Sequence, residues 1–376
     1  MSDKNYLTIL CDACRYDYFL SAFFSNPTIA KLKQNMRFYT NMHSTSCWTI
    51  PAIGSLITQM FPLEHGAILL RRCKLRVEIP TIYDYMKNLG YNIFYVSANP
   101  MFDQTFLNRL CTQDKIVVED KRWYYQDLIE HGALIFEKYF HQKLDCPFWG
   151  YIHLMDAHMP YIEVPNMFPT IRVMNTNNGW QEMYIRHVVL DEEASKQHRE
   201  MYRLGVKSAI DGVVAIFEDL IVHGLLETTV VSILADHGEC LGEQGHYNHQ
   251  FQLLDCCTHI PCVIYDQENI KSLEMNNDLY SICDVVGLMQ KSIGTIPRHE
   301  TYAFYSATNQ LTELNYFDNL RLVRPDLFKV FQKKIDRNGS GTIIDMEFNF
   351  GDALHYQLDM NEEAVFKSKL EALGYV

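Results

Sequence analysis

The stretch ADHGECLGEQGHYNHQ, residues 235–250, holds the densest set of groups able to do chemistry. Asp236 and His237 are adjacent, Gly238 allows a turn behind them, and His246 and His249 follow within one loop. A carboxylate beside an imidazole is a ligand set for zinc, manganese or a similar divalent ion. Standing alone, the same tripeptide would read better as a turn with solvated histidines. Two other segments repeat the pattern. LCDACRYDYF (10–19) sets Asp12 directly after an apolar run, with Arg15 and Asp17 spaced to pair and brace the turn. Asp12 there suits a ligand or a helix N-cap. HLMDAHMPY (153–161) supplies His153, Asp156 and His158 before Pro160. His153 lies inside an apolar run and reads as a core histidine; His158, in the loop, is the better substrate or metal contact.

A nucleophile has to come from elsewhere, and SCWTIPAIGSLITQMFPLEHG (46–66) offers Cys47, Thr49 and Ser55 around a helix start. Thr49 stands two residues before Pro51, and Pro is tolerated in the first turn of a helix, here expected over 52–60. A hydroxyl at that end faces unpaired N–H groups and the positive end of the dipole, a favourable place for a phosphate or sulfate oxyanion. A metal touching the hydroxyl would lower its pKa and make it a usable nucleophile.

These residues need elements that bring them together. Short apolar runs at 6–12, 91–99, 148–156, 229–238 and 260–266 read as buried strands, with helical patterns at 81–90, 125–140 and 201–224 between them. Strand and helix alternating in this way predict an α/β fold, a mostly parallel central sheet flanked by helices. Asp12, Asp156 with His158, and Asp236 with His237 each fall at the C-terminal end of a strand, the edge where open α/β sheets gather ligands. After about residue 270 the alternation fades. The expected organisation is therefore a catalytic core over 1–270 and a smaller α+β subdomain over 271–376.

The bulk numbers bound the function. A net charge of -13 leaves no basic stripe for a nucleic-acid polymer, yet permits a small anionic substrate at a metal site. Eleven scattered cysteines read as mostly buried free thiols in a reducing compartment. No window reaches the length of a membrane-spanning helix and no signal peptide opens the chain, so a soluble, cytoplasmic protein is expected.

Taken in order, five segments resemble the alkaline phosphatase and sulfatase superfamily in its sulfatase-like branch. LCDACRYDYF is similar to the opening strand and Asp-x-x-Arg-x-Asp turn. TIPAIGSLITQMFPLEHG resembles the nucleophile helix with its Pro-x-x-His-Gly ending. TIYDYMKNLGYNIFYVSAN, HLMDAHMPY with LADHGECLGEQGHYNH, and ALHYQLDMNEE resemble the later signature segments of that branch, over most of the chain. The resemblance implies an alkaline phosphatase-like fold and a divalent metal (Zn, Mn, Mg or Ca) on Asp12, Thr49, Asp236 and His237. It also implies Thr49 as nucleophile, with His158 and His249 binding or protonating the substrate beside Arg15. Sulfatases of this branch carry Cys-x-Pro-Ser-Arg, whose Cys becomes formylglycine; here Thr49 holds the Cys position, and Ala52 and Ile53 replace Ser and Arg. Gln59 stands where Gly is usual after Thr58, and Asp12 is a single aspartate where many relatives have two in a row. The expected activity is metal-dependent hydrolysis of a phosphoric ester (phosphomonoester, phosphodiester or phosphonate). The alternatives are a phosphotransferase of the phosphoethanolamine or glycerol-phosphate type, a sulfuric-ester hydrolase, and a non-catalytic binder of an anionic glycan. The partner expected is a small-molecule, glycan or lipid-headgroup ester.

Two further motifs are weaker. DRNGSGTIIDME (336–347) fits an EF-hand loop through Asp336, Asn338, Ser340, Gly341, Ile343 and Glu347, and fits a hairpin turn as well. Arg71, Arg72, Lys74 and Arg76 could meet an anionic substrate or form a solvated basic face.

Overall fold

The computed structural model describes residues 4–67, 75, 78–99, 114–117, 124–175, 189–249 and 253–290, together with the backbone of three strands at 302–309, 328–335 and 341–346. Eight strands form the main sheet: β1 (Asn5–Cys11), β2 (Met36–Tyr39), β3 (Asn92–Ser97), β4 (Lys115–Val117), β5 (Phe148–Leu154), β6 (Thr229–Leu234), β7 (Cys262–Tyr265) and β8 (Glu274–Asn276). Their order is β8-β2-β7-β6-β1-β5-β3-β4. β7 runs antiparallel to both neighbours and the remaining pairs are parallel. β1, β5 and β6 are buried along their whole length, which is why they read as unbroken apolar runs without alternation. β2, β4 and β8 were not legible in advance: they are three or four residues long and lie toward the edges of the sheet.

Register places the strand ends in one line. Ser97 pairs with His153, His153 with Leu10, and Leu10 with Leu234, so these four form a row across β3, β5, β1 and β6. Two residues beyond that row stand Asn99, Asp12 and Asp236. A common edge is thus built by pairing alone.

Helices α1 (Tyr16–Ser25), α2 (Thr49–Thr58), α3 (Ile82–Asn88), α4 (Tyr125–Phe136), α5 (Glu192–Val222) and α6 (Val285–Gln290) flank the sheet. α5 starts nine residues earlier than its apolar period announces. Asp191 caps it by accepting the Ala194 N–H at 2.8 Å, and the charged first turns bury only one side, at Ala194 and His198. α2 begins at Thr49 rather than at 52, so Thr49 is its first residue, and all ten of its residues are buried. It ends at Gln59, held at φ 59 in the left-handed region. Gln therefore occupies a position that favours Gly, at a cost of about 1 kcal/mol.

The core extends past 270, since β8 joins the main sheet and α6 packs on β6 and α2. Strands 302–309, 328–335 and 341–346 make a separate antiparallel sheet. The last two pair from Ile335 opposite Gly341 onward, so the described flanks of the EF-hand-like string are hairpin strands rather than helices. Residues 336–340 and 347, the basic group at 71–76 and the segment 353–363 lie outside the described residues. Among the described residues no helix is long and apolar enough to cross a membrane.

Candidate active site

The turn after β1 delivers Asp12 to the strand-end row. Asp12 donates its N–H to Leu154 O (2.9 Å), and Ala13 adopts a positive φ of 55. That strained turn is held from two sides. The Ala13 N–H bonds to Asp236 Oδ1 at 3.1 Å, and the Tyr202 hydroxyl donates to Ala13 O at 2.6 Å while accepting from the Arg15 N–H. A non-Gly residue in that conformation persists where its surroundings over-determine it.

Asp12, Asp236 and His237 are fully buried, and one ligand atom from each lies within 4.8 Å of the others. Asp12 Oδ2 accepts from Asn99 Nδ2 (2.9 Å) and His153 Nε2 (2.8 Å). Asp236 Oδ1 accepts from the Ala13 and His237 N–H groups. The opposite oxygens, Asp12 Oδ1 and Asp236 Oδ2, are buried and accept no hydrogen bond from any described residue. They face His237 Nε2 at 3.6 and 3.4 Å. His237 Nδ1 lies 2.8 Å from Gly238 O, which can only accept, so in the neutral ring Nδ1 carries the proton and the Nε2 lone pair points at the carboxylates. Two orphaned carboxylate oxygens and an imidazole lone pair aimed into one buried space repel one another. A divalent cation there would satisfy all three, so the residues fit the metal that the chemistry of the set implies.

The electrostatics agree. Burial, followed by the Asp12 charge, pushes Asp236 up to about 6. For Asp12 burial acts in the same upward direction, but His158, His153 and His237 together outweigh it and hold the carboxyl well below the usual range.

Thr49 Oγ1 lies 3.2 Å from His237 Nε2 and 3.5 Å from Asp12 Oδ2, at the start of α2. Ser55, the second hydroxyl of that segment, is committed elsewhere: Thr45 donates to it at 2.7 Å, and His65 Nε2 sits 3.2 Å from it. His65 packs over Gly54, where a Cβ would come within 2.5 Å of the ring. The Pro-x-x-His-Gly ending thus folds back to lock the nucleophile-type helix.

His158 and His249 flank the group, with ring centroids 5.0 Å apart, and His249 lies 4.3 Å from His237. His158 Nδ1 meets Met159 O at 2.5 Å. His249 Nδ1 sits 3.1 Å from Glu239 Oε1, and Tyr161 donates to Glu239 Oε2 at 3.0 Å. Burial drives the Glu239 carboxyl well above its usual range and His249 well below its own.

Two residues take roles other than those expected from their segments, and Arg15 makes the expected pair and more. His153 is no mere core histidine: its place in the strand-end row puts Nε2 on Asp12. Asp156 turns away from the cluster, accepting from Ser208 Oγ at 2.5 Å and the Tyr125 N–H at 3.3 Å, and so ties β5 to α4 and α5. Arg15 is engaged within the protein by a two-pronged pair with Asp17 (2.9 and 2.7 Å), by Glu243 Oε1 (2.5 Å) and by Glu239 O (3.2 Å). It braces two loops. Asn99 and Glu239 carry no distinguishing signal in the sequence, although Asn99 stands as far beyond the paired row as Asp12 does.

Comparison with known proteins identifies the fold and the family. A sequence comparison with curated proteins returns no match. Among solved structures, phosphonate monoester hydrolase from Silicibacter pomeroyi superposes with a TM-score of 0.63 at 13% identity, over 92% of this chain and 89% of that one. A protein from glycosaminoglycan metabolism in Bacteroides thetaiotaomicron gives 0.62 at 14% identity, over 99% and 97%. The C-terminal periplasmic domain of phosphoethanolamine transferase EptC from Campylobacter jejuni gives 0.55 at 18% identity, over 77% and 89%. At these identities the likeness is one of fold. The family model described as Sulfatase matches residues 4–289, most of the chain. The chain belongs to the sulfatase family, an enzyme family of hydrolases and transferases acting on ester bonds within the alkaline phosphatase superfamily.

Proposed function

We propose that this chain is a metal-dependent hydrolase of phosphorus esters that uses Thr49 as its nucleophile. One observation carries the reading: a threonine hydroxyl, where sulfatases have their formylglycine precursor, lies 3.2 and 3.5 Å from two members of the Asp12–Asp236–His237 group. A plain hydroxyl attacks phosphorus directly and leaves a phosphothreonine. It cannot form the aldehyde hydrate that formylglycine chemistry uses.

A cation held by Asp12, Asp236 and His237 would supply the positive charge that acidifies the Thr49 hydroxyl and polarises the ester. Thr49 Oγ1, its acidified proton released to solvent, forms the new P–O bond as the ester P–O bond breaks. The first-turn N–H groups of α2 face the phosphoryl oxygens. His158 or His249 gives the leaving oxygen its proton; burial keeps His249 neutral until an anionic ester arrives and favours its protonation. Water, or an acceptor alcohol in the transferase variant, then takes the group from Thr49.

The test is a panel of p-nitrophenyl esters (phosphate monoester, phosphate diester, phosphonate and sulfate) offered to chelator-stripped protein with zinc, manganese, magnesium or calcium restored. Thr49→Ala runs beside the wild type. Turnover of a phosphorus ester that needs both metal and Thr49 is expected, with a phosphorylated Thr49 peptide after acid quench. Turnover of the sulfate alone, or full activity in Thr49→Ala, would overturn the proposal.

A further inference from the structure

Three thiols from two separate segments meet behind the candidate active site. Cys240 lies in the short strand Cys240–Leu241, and Cys256 and Cys257 in the single helical turn Asp255–Thr258. Cys240 Sγ is 3.5 Å from Cys256 Sγ and 3.4 Å from Cys257 Sγ, and all three sulfurs lie within 4.8 Å of one another. Cys240 and Cys257 are fully buried; Cys256 is half-buried and opens the cluster on one side.

We infer that Cys240, Cys256 and Cys257 form a second, soft-metal site, a tri-thiolate seat for a thiophilic d10 cation such as zinc or copper(I). The geometry is close to what such an ion asks. Sulfurs about 2.3 Å from a common centre stand about 3.8 Å apart, so the two contacts of Cys240 have to open by only a few tenths of an ångström. Thiolates select zinc and copper(I) over the hard cations that carboxylates take. The half-buried side at Cys256 leaves room for a fourth ligand. Binding exchanges three S–H bonds for three metal–sulfur bonds and releases three protons to water, with no change of oxidation state. Hydrogen bonds from Cys240 and Cys257, with a smaller contribution from the Arg15 guanidinium, hold the Cys256 thiol below the ordinary range, while the same sulfur contacts and burial hold Cys240 and Cys257 above it, so the cation has to displace their protons. A disulfide would use two of the sulfurs, strand the third and require an oxidant.

The site has a mechanical link to the first. The carbonyls of Cys257 and Cys256 accept the N–H groups of Gly238 (2.8 Å) and Glu239 (3.1 Å), directly behind Asp236 and His237. A cation that fixes the cysteine turn therefore stiffens the loop presenting those ligands.

The experiment titrates cadmium, a zinc surrogate with a thiolate charge-transfer absorption, into the Asp236→Asn protein, where the carboxylate group is disabled. One equivalent should bind with that absorption, X-ray absorption should count three sulfurs, and the melting temperature should rise. Cys256→Ser in the same background should weaken cadmium binding by roughly a hundredfold, whereas the exposed Cys146→Ser should leave it unchanged. Absence of the charge-transfer band, a shell of fewer than three sulfurs, binding unaffected by Cys256→Ser, or a mass two daltons low from a disulfide among the three would each overturn the inference. The sulfur count needs no substitution among the three thiols, so a misfolded variant cannot mask the answer. Failure here leaves the ester-hydrolase reading untouched, because its metal binds through oxygen and nitrogen.

Discussion

Replacing Asp236 by Asn should make the metal-free protein more stable while destroying its response to metal. In the stripped protein Asp12 and Asp236 confront each other within 4.8 Å with one orphaned oxygen apiece. Two unit charges at that distance repel by about 3.5 kcal/mol at an effective dielectric constant near 20. The elevation of Asp236 from 3.8 to about 6 gives a similar figure, about 3 kcal/mol. The Asp236→Asn side chain would retain an Oδ1 for the Ala13 and His237 N–H groups and would offer Nδ2 to the orphaned Asp12 Oδ1. A gain of about 3 kcal/mol is expected at pH 8, read by urea unfolding of chelator-treated protein. The sign follows from the direction of the shift. A carboxyl raised in the folded state costs nothing below its unfolded pKa, begins to cost as pH rises past it, and costs in full above about pH 6. The advantage of Asp236→Asn should therefore shrink as pH falls from about 8 toward about 4. Adding back the divalent ion should reverse the ranking, with wild type gaining by mass action and the variant not. If the substitution weakens the stripped protein at pH 8, or if metal stabilises both proteins equally, Asp12, Asp236 and His237 do not form a cation site.

The other expectations are simpler. Gly238→Ala forces a Cβ to within 2.0 Å of Cys256 O, so the cysteine turn and the metal-ligand loop must separate; a loss of about 3 kcal/mol or more is expected by thermal unfolding, with activity falling in parallel. Gln59→Gly relieves the left-handed C-cap of α2 and should raise stability by about 1 kcal/mol without altering turnover. Ser55→Ala leaves Thr45 and His65 without their shared partner and should cost about 1–3 kcal/mol. It should nevertheless retain the metal-dependent turnover that Thr49→Ala loses, which separates the two hydroxyls in one assay.

Reading along the chain yields local facts. Apolar runs bounded by polar residues located β1, β3, β5, β6 and β7 to within a few residues, because strands buried on both faces need no partner information to be seen. Asp12, Asp236 and His237 stand out as candidates for a related reason: they come at the ends of buried strands, where a polar side chain has few bland explanations, whereas His158 and His249 stand out from the loops beyond. The turn type at Arg15-x-Asp17 and the breadth of the family resemblance were equally readable.

Contacts between distant segments settled the remainder. Register, which no single segment encodes, put His153 on the same row as Leu10 and Leu234 and so turned a residue that reads as core into a partner of Asp12. Packing decided that Arg15 also reaches the loop at Glu239 and Glu243, that Asp156 ties helices, and that Ser55 belongs to His65. Glu239 acquired its place between His249 and Tyr161 only when separate loops closed on it. The three thiols show the reason most plainly. Cys240 lies sixteen and seventeen residues from its partners, and adjacent cysteines in one helical turn carry no sign of a third until the chain folds back. Chemistry that depends on distances across the chain cannot be read along it.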